Sequence, residues 1–292
     1  MADKINFMEG KKLEINNLLD GKGFVKVITV GPENCSSDRT PEYLIAKTAR
    51  ASYGQDNKSA KADKGLIEFL ARNNHTSPFE MCSITYLLKI PIAMCRQLLR
   101  HRTGKFNEFS QRYTEVKEDM GRFELDGYSN VMRGKSDINH QASEFNLEQE
   151  QVEKIEKLNK KMSSLQDQVF SCYQELLEAG QAKELARFNL PLSTYTLIYV
   201  QFDLNNLIKF FNLRCADDAQ HEIRVYSNSM RELAQQFFPV VIDIQDQYQG
   251  ALKLGRYEKM MIKEGKIPEE VTSKSHQAHL RELAKELGIK LK

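Results

Sequence analysis

The seventeen positions from Arg96 to Arg112 (RQLLRHRTGKFNEFSQR) carry Arg96, Arg100, Arg102, Lys105 and Arg112 against a single acid, Glu108, with His101 among them. So much uncompensated positive charge repels itself and persists where something anionic resolves it. A guanidinium meets a phosphate through two parallel, charge-assisted hydrogen bonds, each with a net value of about 1.5–3 kcal/mol. Ser110 adds a hydroxyl, while Asn107 and Glu108 add groups able to read the edge of a heterocycle. On a helix opened by Pro91, Arg96 and Arg100 would share one face, and Gln97 and His101 the next. The bland alternative is a solvated helix end, where arginine is favoured by the dipole. It explains two basic residues but not five.

Positioning such a cluster requires a scaffold. Phe24–Val30 (FVKVITV) and Cys82–Ile90 alternate and read as strands, as does Thr194–Phe202; Ser110–Val116 is a weaker strand candidate. Helices are expected over Pro41–Arg50, with Pro at its first position, over Leu66–Arg72, and from Pro91 to about His101. Pro32–Ser37 reads as a turn, and Gly54–Lys64 as a polar connector. Residues 117–146 form a long irregular excursion, which in a compact domain is often functional.

Val152, Ile155, Leu158, Met162, Leu165, Val169, Cys172 and Leu176 then recur at steps of three and four. They predict a helix of about 30 residues ended by Gly180, spanning about 45 Å. Helices follow over Leu204–Leu213 and Ala219–Gln236, and Pro239 interrupts the latter or starts another. These elements imply an α/β (α+β) chain with a central mixed sheet flanked by long helices. One catalytic domain is expected over 1–250, with a peripheral tail over 251–292.

The 292 residues carry a net charge of +2. The tail holds ten Lys/Arg and six Asp/Glu, leaving 32 basic and 34 acidic residues in the first 250. A body this close to neutral argues against a protein that coats nucleic acid. Phe106, Phe109 and Tyr113 interleave with the basic residues, so a single-strand binding module is the competing reading. The five cysteines (Cys35, Cys82, Cys95, Cys172, Cys215) are scattered, which suggests reduced thiols in the cytoplasm and no metal site. No apolar run is long enough for a membrane span.

Arg100-His101-Arg102, seven residues, then Ser110 resembles the RHRx7S signature of flavin-dependent thymidylate synthases. The segments AKTARASY (46–53), HTSPFE (75–80), ELARFNLPL (184–192) and FFNLRCADDAQHEIR (210–224) are similar to family segments in the same order, so the likeness covers about residues 20–240. It implies a homotetramer with active sites between subunits. FAD would carry hydride from NADPH, methylenetetrahydrofolate would supply one carbon, and dUMP would become dTMP.

Residue by residue, the resemblance places Arg100, His101, Arg102, His75, Ser77 and Ser52 at the flavin, with Glu108 also near it and Asp203, Asn205 and Lys209 at variable flavin positions. It places Gln97, Arg100, Glu108, Ser110, Gln111, Arg112 and Arg187 at dUMP. Arg214 matches the arginine that polarises the uracil ring and is the expected catalytic residue. Cationic donors at the ring carbonyls stabilise electron density that develops when carbon 5 is activated.

Ser110 has no dedicated base beside it and is assigned to binding, not to covalent attack. Lys105 stands where the family commonly has Ser, and Asp218 where it commonly has His. Alone, His75 would be a turn histidine and Arg187 a surface arginine. His140, His221, His276 and His279 are read as structural, and Tyr113 as either ligand packing or core.

Overall fold

The computed structural model describes residues 8–33, 40–52, 54, 59–117, 120–135, 143–248 and 254–291. Cys35, Tyr53 and His140, with most of the expected turn Pro32–Ser37, lie outside them. Within the first of two compact units, Met1–Asp246, a five-stranded sheet is ordered β1-β2-β3-β7-β4. Its strands are β1 (Glu14–Leu18), β2 (Gly23–Gly31), β3 (Ser83–Pro91), β4 (Lys105–Glu108) and β7 (Tyr195–Asp203). A small ribbon in the 117–146 excursion supplies β5 (Gly134–Lys135) and β6 (Ser143–Glu144).

Alternation decides which face is core. In β3, Ile84, Tyr86, Leu88 and Ile90 are buried, and in β7 Ile198, Val200 and Phe202 join them. In β2, Val25 and Val27 are buried, and a bulge between Val27 and Thr29 shifts the phase to Val30. Each such Val, Ile or Leu contributes about 1.5–3 kcal/mol by leaving water. The opposite face carries a polar row across four strands: Thr29 to Thr85 at 3.0 Å, Thr85 to Gln201 at 3.1 Å, and Gln201 to Lys105 at 3.1 Å.

Every paired neighbour in this sheet is antiparallel, which corrects the expectation of a mixed sheet. The reason is local. Gly31 at the end of β2 faces Ser83 at the start of β3, so the helical connection leaves and re-enters at one end of the sheet and β3 must run back. That connection contains α1 (Tyr43–Ala51), α2 (Ala60–Arg72) and a 3-10 turn, Ser77–Met81. α1 begins two residues after Pro41, with Glu42 as its N-cap, so the proline precedes the helix. α2 extends back to Ser59, whose hydroxyl accepts from the Ala62 amide and caps it.

After β3, α3 (Ile92–Leu98) is short, and β4 follows the turn at residues 99–104. The strand of this region is therefore Lys105–Glu108, not Ser110–Val116. Next come the 3-10 turn Ser129–Val131, α4 (Gln149–Glu178), α5 (Lys183–Ala186) and the 3-10 turn Arg187–Asn189. α6 (Leu204–Arg214), α7 (His221–Gln235) and α8 (Pro239–Tyr248) complete the unit, so Pro239 starts a separate helix. Phe210, Phe211, Tyr226, Met230 and Leu233 from these helices, with Phe237 and Phe238 from the link between α7 and α8, are buried in the same core as the sheet.

The second unit, Gln247–Lys292, contains α9 (Arg256–Glu264) and α10 (Lys274–Glu286). It has its own small core of Met261, Val271, Leu280, Leu283 and Ala284. Gly265, at φ +67°, ends α9 in the left-handed conformation that glycine tolerates best. Glu258 and His276 meet at 3.1 Å within this unit.

Candidate functional site

The basic segment is built by a helix that stops early. α3 ends at Leu98, and the Leu99 amide bonds back to the Cys95 carbonyl. Arg100, His101 and Arg102 therefore occupy the turn before β4, and the expected i,i+4 pairing of Arg96 with Arg100 on one helix does not exist. Gly104 lets this turn close. A Cβ there would lie 2.6 Å from both Phe106 Cζ and Phe202 Cε1. β4 then pairs with β7, Lys105 opposite Gln201 and Glu108 opposite Ile198.

Arg214, the last residue of α6, reaches into this turn. Its Nε donates to His101 Nε2 at 3.0 Å, and its two Nη atoms donate to Gln97 Oε1 (3.4 Å) and the Gln97 backbone carbonyl (3.2 Å). Because an arginine can only donate, His101 Nε2 must be the unprotonated nitrogen and Nδ1 carries the proton. Burial, then the Arg214 charge, holds His101 below its ordinary pKa. The imidazole also packs edge-on against Phe210, with ring centroids 4.9 Å apart. Burial lowers the Arg214 guanidinium from its own ordinary value.

Around this pair the charge stays uncompensated. Among the described residues, Arg96, Arg100, Arg102 and Arg187 have no carboxylate at ion-pair distance. Arg112 differs: its Nε donates to Glu184 Oε2 at 2.6 Å, and its guanidinium lies 5.7 Å from the Tyr113 ring centre. Since Glu184 belongs to α5 and Arg187 opens the next turn, Arg112 and the ELARF segment are brought together. Ser110 and Gln111 follow β4, and Gln111 Nε2 is buried without a hydrogen-bond partner. Tyr113 is exposed, so it is not core.

A second group lies along α1 and α2. Ser52, His75 and Ser77 line a groove of about 690 Å³ together with Leu66, Phe69 and Pro78. His75 packs edge-on to Phe69 at 6.0 Å. Arg50, which also lines the groove, pairs with the buried Asp63 at 2.5 Å. The 3-10 turn carrying Ser77 is tied to α6 where Asn205 Nδ2 donates to Glu80 Oε1 at 3.2 Å.

Asp203 caps α6, accepting from the Asn206 amide (3.0 Å) and side chain (2.7 Å), so its carboxylate is engaged structurally. Lys209 and Asp218 are exposed. Lys105 joins the polar row on the sheet.

Thiolate chemistry has no support here: burial pushes Cys95 and Cys215 up to about 12. The competing single-strand reading loses two of its rings. Phe106 packs edge-on to Phe202 at 5.9 Å, and Phe109 is half-buried. His221 sits near Tyr128, with its ordinary pKa lowered by burial first.

Several contacts were not foreseen from sequence. Glu80, Glu184, Gln220 and Glu222 lie inside the motif segments, but only proximity shows what they touch. Arg133 lies in the irregular excursion and has no sequence signal at all.

A family model described as "Thymidylate synthase complementing protein" matches residues 35–240. The chain is 37% identical over 219 residues to a "Flavin-dependent thymidylate synthase" of Thermus thermophilus, covering 75% of this chain and 74% of that protein. It is 35% identical over 248 residues to one from Dictyostelium discoideum, covering 83% and 78%. Among solved structures, a UMP/dUMP methylase, PolB, from Streptomyces cacaoi bound with 5-Br dUMP aligns at TM-score 0.65 with 26% identity, over 78% of this chain and 96% of that one.

Proposed function

Because the chain belongs to the flavin-dependent thymidylate synthase family, we propose that the turn after α3, the end of α6 and the groove beside α1 hold its nucleotide and its flavin. The protein reductively methylates dUMP to dTMP, taking carbon from methylenetetrahydrofolate. FAD, reduced by NADPH, supplies the hydride. The donor set fits two anionic ligands: unpaired guanidinium groups for phosphates, hydroxyls at Ser52, Ser77 and Ser110, and no chelating cluster among the described residues.

In this reading Arg100, His101 and Arg102 hold the flavin with Ser52, His75, Ser77 and Asn205. Lys209, exposed on α6, is free to reach a phosphate of the same group. Gln97, Arg100, Glu108, Ser110, Gln111, Arg112 and Arg187 hold dUMP. Arg214 donates to the uracil ring and stabilises the charge that develops there, its orientation fixed beforehand by His101 and Gln97. Asp203 acts on the flavin side only through the α6 N-terminus that it caps.

The observation that carries the assignment is the Arg214–His101–Gln97 contact, beside Arg100 and Arg102 that meet no carboxylate among the described residues. Anaerobic incubation of the purified protein with dUMP, methylenetetrahydrofolate and NADPH tests it. We expect dTMP from the wild type. Arg214→Ala should fall by about 10²–10³-fold, the usual cost of one preorganised donor, with FAD retained. Full turnover by Arg214→Ala would overturn the assignment.

We further propose a homotetramer, with active sites between subunits. α4 supports it by leaving Leu158, Met162 and Leu165 between 43% and 53% exposed. A cytoplasmic location is supported by the thiols of Cys95, Cys172 and Cys215, none of which is in a disulfide. No helix among the described residues is long and apolar enough to cross a membrane.

A further inference from the structure

Arg214 stands at one end of a hydrogen-bonded chain whose other end lies in a distant segment, the excursion before α4. Gln97, whose Oε1 and backbone carbonyl accept from Arg214, donates through Nε2 to Gln220 Oε1 at 2.6 Å. Gln220 in turn donates through Nε2 to Glu222 Oε2 at 2.8 Å. The other oxygen of Glu222 accepts from Arg133. Glu222 is 5% exposed, in the first turn of α7, where a carboxylate also suits the helix dipole. Arg133 is held in its turn by donating from Nε to the Asn130 carbonyl at 2.5 Å.

The order of donors along this chain is forced. Both ends are guanidinium groups, which only donate, and each side-chain amide has one donating and one accepting end. A run of amides between two donors cannot satisfy every link: somewhere two donors must meet. One carboxylate, accepting on both oxygens, removes the conflict. With Glu222 in place, Gln220 must turn its NH2 toward it, Gln97 must turn its NH2 toward Gln220, and the Gln97 side-chain oxygen is left facing Arg214.

We propose that Glu222, anchored by Arg133, is a positioning residue that sets the polarity of the Gln220–Gln97 relay and so keeps the Gln97 side-chain oxygen, rather than its NH2, against Arg214. The proposal rests on Arg214 being the residue that acts on the pyrimidine. A misdirected amide would push the guanidinium off its aim, and small misplacements of a reacting group are costly.

The near-isosteric Glu222→Gln tests the polarity directly. Arg133 would claim the new carbonyl oxygen and turn the new NH2 toward Gln220, which flips both glutamines. We expect kcat to fall by roughly tenfold, with a smaller rise in KM for dUMP because Gln97 also belongs to the nucleotide site; the lost aim matters chiefly in the transition state. Adding Arg133→Met frees the introduced amide to present its oxygen to Gln220. The double variant Arg133→Met/Glu222→Gln should therefore recover most of the lost kcat. A purely structural role predicts the reverse, a double variant worse than either single one.

Gln220 is exposed and serves if the buried variants fold poorly. Gln220→Ala should lower kcat similarly, and Glu222→Gln should add nothing to it. Unchanged kcat in Glu222→Gln or Gln220→Ala, or additive losses in the pairs, would overturn the relay. Arg214→Ala, run alongside, separates the two ideas. If it is inactive while Glu222→Gln is normal, only the relay fails; if it is fully active, the reading of the site fails.

Discussion

At the scale of single residues, the site depends on one imidazole staying neutral. Arg214 Nε needs the lone pair of His101 Nε2, and protonation would replace an acceptor with a cation facing a cation. The folded-state pKa of His101 lies below its ordinary 6.5, chiefly through burial. A group depressed on folding contributes stability that is complete above the unfolded pKa and lost as pH falls through the folded one. The wild type should therefore lose unfolding free energy more steeply below about pH 6.5 than His101→Gln, which cannot titrate. Urea unfolding of both proteins from pH 8 to 5.5 measures the difference; parallel curves would show that His101 is not held neutral. The same contact explains why Arg214 is recognisable in the sequence only by its segment. An arginine at the end of an apolar helix is also an ordinary helix end, and nothing in spacing reveals that it reaches 113 positions back.

At the scale of elements, the basic turn exists because α3 stops at Leu98 and β4 must begin within a few residues. Gly104 is the hinge of that switch. Adding a methyl would drive it into Phe106 and Phe202, and Phe202 is buried and unable to move aside. Gly104→Ala should cost about 1–3 kcal/mol in urea unfolding, as overpacking does, and should lower FAD occupancy by displacing Arg100–Arg102. Normal stability with full flavin absorbance would show that the turn tolerates the methyl.

This turn is also the least legible part of the sequence. The apolar pattern runs on past Leu98, so the helix reads as longer than it is, and the strand that ends it has only four residues. Strands β2, β3 and β7 are legible because alternation over nine residues leaves little choice of face. β1, only five residues long with Asn16 and Asn17, gives no such signal. Strand direction is not legible either, because the return at Gly31–Ser83 is a property of how α1 and α2 close back on the sheet. Ser52, His75 and Ser77 stand out in separate motifs, and the groove joins them. The Gln97–Gln220–Glu222–Arg133 chain is invisible in sequence because it joins distant segments.

At the scale of the whole molecule, the orientation of α4 has a consequence for assembly. The apolar positions Leu158, Met162 and Leu165 point to solvent, while Asn159, Ser163, Gln166, Phe170 and Tyr173 form the inward side. Part of that inward side is polar: Ser163 accepts from Arg122, and Gln166 donates to Ser193. Between Leu158 and Leu165 the helix is thus turned by about one residue step, roughly 100°, from the orientation its apolar stripe would choose in a monomer, while Val152, Ile155 and Val169 of the same stripe stay half-buried. An apolar stripe left outside while Ser163 and Gln166 are bonded inside is what a helix shows when a second copy of the chain covers it. Placing a lysine in such a seam forfeits about 1.5–3 kcal/mol of apolar burial per site and adds like-charge repulsion across a symmetric contact. Met162→Lys/Leu165→Lys should therefore shift the mass measured by light scattering from that of the proposed tetramer to smaller species. The far-ultraviolet circular dichroism should not change, because Arg122, Ser163, Gln166 and Ser193 still hold the helix on its own subunit. Turnover should fall with the mass if active sites lie between subunits. An unchanged mass would remove α4 from the interface, and an unchanged rate in the smaller species would place each active site within one chain.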